Sequence, residues 1–231
     1  MSRKRHRGAN AFLMGRYGLK RTHPEELVLI GGGAHSLCLL DILSSLGAQS
    51  RVLGYVDRQP SSLPLTYLGD EESFSGRYSP SNATLLMGIG TDIRLREKLF
   101  QLYKGWGFIF ESLVSPGAHV SNTASMGEGC VVFPGAVLGA MAQLEENVVL
   151  HSNTVVEHQS HIGAHSYLAP GAVVPGISHI GKRVLLGPNS AMLDHLSLAD
   201  DCVLGAGAVL TKSFSQPGKT LVGIPAREHQ S

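Results

Sequence analysis

Histidines carry the most specific chemical signal in this chain of 231 residues. Several of its 11 histidines are clustered in the sequence, namely His151, His158, His161 and His165. His158 differs from the others because the residues 18 positions before and after it, one repeat length away, are the small Ala140 and Gly176. A histidine titrates near neutral pH and suits general-base work on an amine or hydroxyl. We therefore interpret His158 as a candidate general base beside a recess, with Glu157 as a neighbouring acid.

The other histidines carry less information. We interpret His161, His165 and His179 as surface residues without a chemical role. His161 and His179 are 18 residues apart and are expected to stack, but a metal site is not inferred because the sequence shows no carboxylate beside them.

The three cysteines are also interpreted structurally. Cys38, Cys130 and Cys202 are widely spaced and form no CxxC motif. Cys130 and Cys202 occupy small-residue positions of the repeat, so burial is favoured over redox or metal chemistry. Unpaired cysteines favour a reducing cytoplasm.

A glycine-rich turn follows the first apolar segment, with the sequence Gly31-Gly32-Gly33-Ala34-His35. Together with Asp57 it raises the hypothesis of a dinucleotide-binding dehydrogenase. Ser36 stands where the third glycine of that motif is required, and a unit of about 85 residues is too small for hydride transfer. Both observations argue against a dehydrogenase.

A six-residue periodicity predicts the fold of the second half of the chain. From Val114 to Leu210 every sixth residue is Val, Ile, Leu or Met, and the residue four positions later is small at most positions, Leu196 being the largest residue there within the series. Hexapeptides of this kind form the flat sides of a parallel β-helix, with one aliphatic side chain pointing inward per side. Three hexapeptides make an 18-residue coil, and the series therefore predicts about five coils.

The preceding segment reads as a small α/β unit with a parallel sheet. The predicted elements are a strand at Leu27–Ile30, a helix ending near Leu46, a strand over residues 51–56, a loop over 58–82, a strand over 83–88 and a helix over 91–103. The charged residues of the last helix are expected on its exposed side: Arg94, Arg96, Glu97 and Lys98. The predicted organisation is a basic extension at residues 1–25, a Rossmann-like domain at 26–110, a β-helix domain at 111–212 and a C-terminal cap at 213–231.

Composition and charge exclude several classes of partner. The formal net charge is +1 and 43% of the residues are hydrophobic, so no global charge attracts nucleic acid or a membrane surface. No apolar run is long enough for a membrane span, and the N-terminus lacks the apolar segment of a signal peptide. Residues 1–25 are rich in Lys and Arg. They read as a poorly ordered extension or as an arm for an anionic partner or another subunit.

The segment around His158 resembles the active-site stretch of a known enzyme family. Residues 155–163, VVEHQSHIG, are similar to that stretch in left-handed β-helix acetyltransferases of the sialic-acid O-acetyltransferase type, which include N-acetyltransferases of nucleotide-linked 4-amino-sugars, as in bacillosamine synthesis. The resemblance extends over about 200 residues. It includes the glycine loop, Asp57, Gly88-Ile89-Gly90, Leu198-Ala199-Asp200-Asp201 and the ending VGIPAR at residues 222–227.

The resemblance implies a cytoplasmic homotrimer that transfers an acetyl group directly from acetyl-CoA to a nucleotide sugar, without a metal. His158 would be the general base, and the backbone N–H of Gly176 would hold the thioester carbonyl. The expected residues for the nucleotide sugar are Gly31, Gly33, His35, Asp57 and Gly90. The expected residues for acetyl-CoA, besides Gly176, are Tyr167, Gly205, Lys212, Lys219 and Arg227.

The chain departs from the family next to the candidate base. Family members usually carry Asp or Glu directly after the histidine, whereas this chain has Gln159, and an asparagine often found seven residues before it is His151 here. Either Glu157 or a neighbouring subunit replaces the acid, or the acceptor differs and needs a weaker base. We expect an N-acetyltransferase acting on a nucleotide-linked amino sugar, with UDP as the expected nucleotide, in bacterial surface-glycan biosynthesis. The alternatives are an O-acetyltransferase of a sialic-acid-like sugar and, with less support, a non-catalytic β-helix scaffold.

Overall fold

The computed structural model of the protein describes residues 26–229 in two units. The first unit comprises residues 26–90 and 98–116, and the second comprises residues 91–97 and 117–229. The basic extension at residues 1–25 lies outside the described residues, so both interpretations of it stay predictions. The domain boundaries at residues 110 and 212 stay predictions as well. No helix among the described residues is long and apolar enough to cross a membrane.

The first unit is built around a three-stranded parallel sheet with the strand order β2-β1-β3. Its elements in chain order are β1 Leu27–Ile30, α1 Ala34–Ser45, a 3₁₀ turn Gln49–Arg51, β2 Val52–Val56, α2 Glu71–Ser75, β3 Thr84–Met87, α3 Ile93–Gly105 and β4 Leu113–Val114, with the first turn of α3 counted in the second unit. All four residues of β1 are buried, as the central strand of a parallel sheet requires. Helix α1 ends before Gly47, whose φ of 69° places it in the left-handed region. The predicted parallel α/β unit is confirmed.

Helix α2 lies inside the segment that was expected to be a loop. The side chain of Asp70 accepts a hydrogen bond from the backbone N–H of Ser73 at 2.9 Å and so caps the helix. Five residues are too few for a helical periodicity to be recognised in the sequence, and for this reason the helix was missed.

The second unit is a parallel β-helix with three flat faces, here called faces I, II and III. Face I contains β7 Val131–Val132, β10 Val149–Leu150, β13 Tyr167–Leu168, β16 Leu185–Leu186 and β19 Val203–Leu204, extended by β21 Thr220–Val222 and β22 Arg227–Glu228. Face II contains β5 His119–Val120, β8 Val137–Leu138, β11 Val155–Val156, β14 Val173–Val174, β17 Ala191–Met192 and β20 Val209–Leu210. Face III contains β6 Ser125–Met126, β9 Gln143–Leu144, β12 His161–Ile162, β15 His179–Ile180 and β18 Ser197–Leu198.

The register of the coils confirms the 18-residue repeat. Val155 pairs with Val173, and His161 pairs with His179, in parallel ladders. The second residue of each strand points into the coil, where Val156 and Ile162 are fully buried. The predicted aliphatic series therefore forms the core of the β-helix.

The outward residues distinguish the faces. On face II they are apolar and half-buried from β8 onward: Val137, Val155, Val173, Ala191 and Val209. On face III they are polar: Ser125, Gln143, His161, His179 and Ser197. Face II thus presents a strip of apolar side chains that face III lacks.

Arg96 is buried, contrary to the expectation that it lies on the exposed side of its helix. Its side chain has no exposed surface, and its guanidinium donates hydrogen bonds to the backbone oxygen of Asn147 at 3.1 Å and to Asn147 Oδ1 at 2.6 Å. Burial lowers the pKa of Arg96 to about 10. The sequence prediction failed because it treated the helix as an isolated amphipathic stripe. Residues 91–97 instead pack against the β-helix within the second unit.

The corner between faces III and I presents a polar column to these helix residues. The column has the 18-residue spacing and consists of Asn147, His165, Arg183 and Asp201, all with positive φ. Arg183 makes a two-point ion pair with Asp201, at 2.8 and 2.9 Å, and contacts Glu97 at 3.1 Å. This ion pair lowers the pKa of Asp201.

His165 is a member of this column and not a surface histidine. Its side chain is 3% exposed, and its Nδ1 lies 2.9 Å from Asn147 Nδ2. Burial lowers the pKa of His165, so the imidazole is neutral at neutral pH. The surface interpretation of His165 is therefore wrong, because a hexapeptide corner can be covered by a helix from elsewhere in the chain.

Candidate functional site

His158 lies at the corner between faces II and III, directly after β11. The same position in successive coils is occupied by Ala140, His158, Gly176, Asp194 and Lys212, here called the II–III column. A Cβ atom at Gly176 would lie 2.6 Å from both Cε1 and Nε2 of His158. Only glycine leaves room for the imidazole ring against the backbone of the next coil. The recess predicted beside His158 is therefore a close contact between the ring and the Gly176 backbone.

The opposite side of the imidazole ring faces Gln159. His158 Nδ1 lies 3.4 Å from Gln159 Oε1, and this amide oxygen can only accept a hydrogen bond. The contact favours the tautomer with a proton on Nδ1 and a lone pair on Nε2, the nitrogen that faces Gly176. A neutral amide thus occupies the position of the acid that the family usually carries. The carboxylate of Glu157 is exposed and makes no hydrogen bond or ion pair with any residue in 26–229, so the structure does not bring it to His158.

Gly176 supplies an unused hydrogen-bond donor beside the imidazole. Its carbonyl accepts a hydrogen bond from the N–H of His195 at 3.1 Å, but its own N–H donates to no atom of the described chain. The coil's ladder does not use the N–H at this corner position, and the His158 ring packs against this buried glycine. The imidazole of His158 and a backbone N–H without an acceptor among the described residues therefore belong to neighbouring positions of adjacent coils. This pairing can remove a proton and stabilise a developing oxyanion.

The glycine-rich turn of the first unit forms a second polar site. The N–H of Gly32 donates to Asp57 Oδ2 at 2.8 Å, and the N–H of Gly31 donates to the carbonyl of Val56 at 2.8 Å. These bonds hold the turn at the carboxyl ends of β1 and β2. Gly31 has a φ of 107°, and a Cβ there would lie 2.6 Å from Ile89, so both its conformation and its surroundings require glycine.

The predicted nucleotide-sugar residues come together at this edge of the sheet. Gly33 precedes the first turn of α1 and has open space around it. A Cβ at Gly90 would lie 3.5 Å from Cβ of His35, so the turn after β3 lies beside this histidine. Free N–H groups at the N-terminus of a helix favour anionic ligands such as phosphates. The structure therefore assembles Gly31, Gly33, His35, Asp57 and Gly90 into one site, although they are far apart in the sequence.

Comparisons with family models agree with this geometry. Residues 141–176 match the bacterial transferase hexapeptide (six repeats), and residues 179–212 match the hexapeptide repeat of succinyl-transferase. A comparison with curated protein sequences finds no match.

Solved structures extend the similarity to both units. The acetyltransferase domain of PglB from Neisseria gonorrhoeae is 25% identical, covers 89% of this chain and 100% of its own, and has a TM-score of 0.83. PerB from Caulobacter crescentus, solved with CoA and GDP-perosamine, is 27% identical with coverages of 89% and 97% and a TM-score of 0.83. The chain resembles hexapeptide-repeat acyltransferases in its repeats and in its two-part fold. WeeI from Acinetobacter baumannii, at 20% identity, coverages of 88% and 99% and a TM-score of 0.80, shares the fold.

These matches confirm the predicted family resemblance and the two-part architecture of the chain. The hexapeptide family implies a left-handed coil, as the sequence analysis expected. The matches do not assign roles to individual residues of this chain.

The residues predicted for acetyl-CoA are distributed over different parts of the chain. Lys212 lies in the II–III column three coils beyond His158, which is about 14 Å at the usual strand spacing. Tyr167 is buried on face I, 6.0 Å between ring centroids from His151. Gly205 follows β19 of face I, and Lys219 is ion-paired with Glu228 at 2.5 Å. Within one chain, therefore, only Gly176 and Lys212 of this group share the corner with His158.

The cap contributes the last of these residues, Arg227. It lies in β22, is exposed, and its guanidinium donates a hydrogen bond to the carbonyl of Ala226 at 3.2 Å. His151, which occupies the position of the family's asparagine, stacks on Phe133 with ring centroids 4.3 Å apart, and burial lowers its pKa.

The stacked histidines of face III have a carboxylate neighbour that the sequence analysis did not expect. The rings of His161 and His179 are parallel with centroids 4.7 Å apart, as predicted, but Glu145 lies 3.2 Å from His161 Nε2. Within residues 26–229 there is no group of three or more metal-ligating side chains that could hold a metal ion. Burial, with a smaller contribution from His161, lowers the pKa of His179.

The cysteine interpretation is confirmed for both repeat positions. Cys130 and Cys202 are fully buried, and burial raises the pKa of Cys130 to about 12. The thiol of Cys130 donates to the carbonyl of Glu145 at 3.0 Å. Neither thiol is available as a nucleophile at neutral pH.

The contacts that hold residues 91–97 to the β-helix were not predicted from the sequence. Arg96, Asn147 and Arg183 were not singled out for any contact. The 18-residue spacing from Asn147 through His165 to Arg183 is a signal that could have revealed the column. The partner helix residues could not be identified in this way, because they lie outside the repeat.

Proposed function

We propose that this protein transfers an acetyl group from acetyl-CoA to the amino group of a nucleotide-linked amino sugar in bacterial surface-glycan biosynthesis. The observation that carries the proposal is the contact between the His158 ring and the Gly176 backbone. The proposal is supported by PglB, solved as an acetyltransferase domain, and by PerB, a perosamine N-acetyltransferase solved with CoA and GDP-perosamine. Surface-glycan biosynthesis and a cytoplasmic location remain predictions.

The residues of the II–III corner suit direct transfer. Nε2 of His158 accepts the proton that the acceptor's amino group loses as its nitrogen attacks the thioester carbonyl. The N–H of Gly176 donates to the oxygen that becomes negative. The proton then passes from His158 to the departing sulfur, so the histidine ends neutral. Direct transfer agrees with the burial of Cys130 and Cys202, which leaves neither thiol to carry the acetyl group.

Gln159 limits how strong a base His158 can be. Its amide oxygen can hold the ring in the productive tautomer, but it cannot stabilise an imidazolium by charge as a carboxylate does. The attacking group must therefore lose its proton easily during attack. An amine does so late in its reaction with a thioester, whereas a hydroxyl group needs stronger base assistance. The substitution thus favours the amine over the hydroxyl acceptor.

The glycine turn of the first unit is proposed to bind the nucleotide sugar. Backbone N–H groups at the start of α1 suit a diphosphate, and His35, Asp57 and Gly90 surround the same edge of the sheet. None of these groups selects between nucleotide bases, so the UDP expectation is tested beside GDP, the nucleotide found with PerB.

A homotrimer is proposed from the character of face II. Its outward residues form an apolar strip that is half-exposed in the single chain, while the equivalent positions of face III are polar. Contiguous apolar surface of this kind marks an interaction site, and closed symmetric rings are a common way to cover it. A trimer packed through face II would place acetyl-CoA between neighbouring subunits, beside the II–III column.

The decisive experiment is thiol release from acetyl-CoA with the full-length protein. UDP- and GDP-linked 4-amino-sugars are compared with sialic and legionaminic acids as acceptors. We expect release with one or more of the nucleotide amino sugars, and we expect His158→Ala to lower kcat by about 10²–10⁴-fold. Release only with the sialic-type acids would identify an O-acetyltransferase. No release with any acceptor, with acetyl-CoA binding lost as well, would favour the scaffold.

A further inference from the structure

Ile177 has an unusual backbone conformation for its residue type. Its φ is 57°, in the left-handed region. The other non-glycine residues with positive φ in residues 26–229 are Met141, Asn147, Asn153, Gln159, His165, Arg183, Asn189, His195 and Asp201. Ile177 is the one β-branched residue in this described set. A branched side chain is strained in this region, whereas Asn and Asp adopt it readily.

The strain at Ile177 is not offset by packing within the chain. Its side chain is 46% exposed, so it contributes little to the core of the β-helix. Its N–H donates to the carbonyl of His158 at 3.0 Å, a ladder bond that any residue except proline could make. Residues held in strained conformations without a structural benefit cluster at functional sites.

The position of Ile177 places it at the candidate active site. It directly follows Gly176, whose N–H is free beside the His158 ring. One coil earlier the same corner position is Gln159, and two coils earlier it is Met141, which is 56% exposed. Two exposed apolar side chains therefore lie at this corner in the coils directly before and after the coil that carries His158.

The chemistry of the two substrates decides which one these side chains suit. A nucleotide sugar presents hydroxyl groups, a diphosphate and a base edge, all of which prefer polar partners. The groups on both sides of the thioester carbonyl of acetyl-CoA are apolar, a methyl group on one side and the sulfur with its two methylenes on the other. If the carbonyl lies at the N–H of Gly176, these carbons are the atoms nearest to the adjoining residue.

We propose that Ile177 is a binding residue for the acyl donor, with its side chain forming an apolar wall against the carbons that flank the thioester. The inference rests on the proposed function only for the identity of the donor. In this proposal, the strained backbone conformation of Ile177 serves ligand binding and makes no contribution to folding.

The test measures acetyl-CoA binding by titration calorimetry and thermal stability on the same full-length samples. Ile177→Asn removes the apolar contact and relieves the strain. We expect its Kd for acetyl-CoA to rise about tenfold, as loss of part of a buried aliphatic contact predicts, while its Tm stays equal or rises by a few degrees. Ile177→Val keeps both the branching and most of the contact, and its Kd should stay within about threefold of the parent.

The matched control is Asn189→Ile, which places isoleucine at an exposed left-handed position of another corner, where φ is 54°. It should lower Tm without changing the Kd for acetyl-CoA. A Kd of Ile177→Asn within twofold of the parent would overturn the inference. So would a fall in Tm together with a loss of native mass, because Ile177 would then contact another copy of the chain.

Failure of the proposed function gives a different result. If the parent binds acetyl-CoA but acetylates no amino sugar, the acceptor assignment fails, and the change in Kd on Ile177→Asn still decides the inference. If the parent binds no acetyl-CoA, the inference fails with the donor assignment.

Discussion

At the level of single residues, the contact between the imidazole of His158 and the backbone of Gly176 defines the candidate site. The ring occupies the space that a side chain at Gly176 would need, and the N–H of that glycine donates to no backbone acceptor among the described residues. The proposed base and the proposed oxyanion donor therefore belong to adjacent coils of one ladder. Their separation is set by the strand spacing and not by a loop.

Gly176→Ala should separate catalysis from stability. The added Cβ would lie 2.6 Å from the imidazole, so the ring must move, and a displacement near 1 Å costs about 10²-fold in rate. We expect kcat/KM to fall by about 100-fold or more, with the protein still folded by circular dichroism. Gly105→Ala is the control, because a Cβ there meets nothing within 4 Å. Parent-like activity of Gly176→Ala would show that the ring contact plays no part in catalysis.

Gln159→Glu tests the role of the neutral partner. A carboxylate beside Nδ1 stabilises the protonated imidazole, so more alkaline solution is needed to obtain the neutral base. The acidic limb of the kcat/KM profile should therefore move to higher pH, while Gln159→Leu should lower kcat without moving that limb. Identical pH profiles for the parent and Gln159→Glu would mean that this side chain does not contact the base during turnover.

At the level of elements, the polar column at the III–I corner holds residues 91–97 to the β-helix. Arg96 is fully buried and bonds to Asn147, while Arg183 joins Glu97 and Asp201. Removing the partners of a buried charge destabilises the fold. Removing the charge itself leaves the facing polar groups without a hydrogen-bond partner. The column therefore determines where residues 91–97 lie on the β-helix, and it also stabilises their packing there.

Arg96→Ala should destabilise the protein by about 3–5 kcal/mol, because it removes a buried guanidinium and leaves Asn147 Oδ1 without its donor. The measurement is equilibrium unfolding in guanidinium chloride. Lys98→Ala, at an exposed position of the same helix, should change the free energy of unfolding by less than about 0.5 kcal/mol. Equal effects of the two substitutions would contradict the assigned burial of Arg96.

His165 makes this column sensitive to acid. Its folded-state pKa lies below the usual value of 6.5 because of burial, so the unfolded chain binds the proton more readily. By linkage, the contribution of His165 to the free energy of unfolding is fully present above pH 6.5. It is lost progressively as the pH falls through and below that value. Measured from pH 7.5 to 5, Tm should fall less steeply for His165→Asn than for the parent. A slope unchanged by the substitution would assign the acid sensitivity to other groups, among them His151 and His179.

At the level of the whole molecule, the difference between faces II and III predicts the assembly. Light scattering of the full-length protein should give a mass three times the 24.6 kDa of the chain. Val173→Lys on face II should dissociate the trimer, because it places a charge in an apolar contact. Gln143→Lys on face III should leave the trimer intact. If only Gln143→Lys dissociated the trimer, the interface would lie on face III and the assignment to face II would be wrong.

Much of the architecture can be predicted from the sequence, for a physical reason. The coil repeats itself every 18 residues, so a local pattern determines long-range pairing, and residue spacing alone identifies the neighbours of His158. The same logic predicted the stacked rings of His161 and His179 and the burial of Cys130 and Cys202. The family resemblance also limited the chemistry expected at His158, since Gln159 stands where family members usually carry an acid.

Only the tertiary structure decided what lies outside the repeat. A period cannot show that a helix from another segment covers one corner, so Arg96 and His165 were assigned to the surface when both are buried. Backbone conformation is equally invisible in a pattern of residue types, and the left-handed φ of Ile177 is evident only in the folded chain. The sequence by itself determined the coil, its register and the position of the candidate base. The folded chain decided the burial, the tautomer and the strain around them, because these depend on contacts between segments that the repeat does not relate.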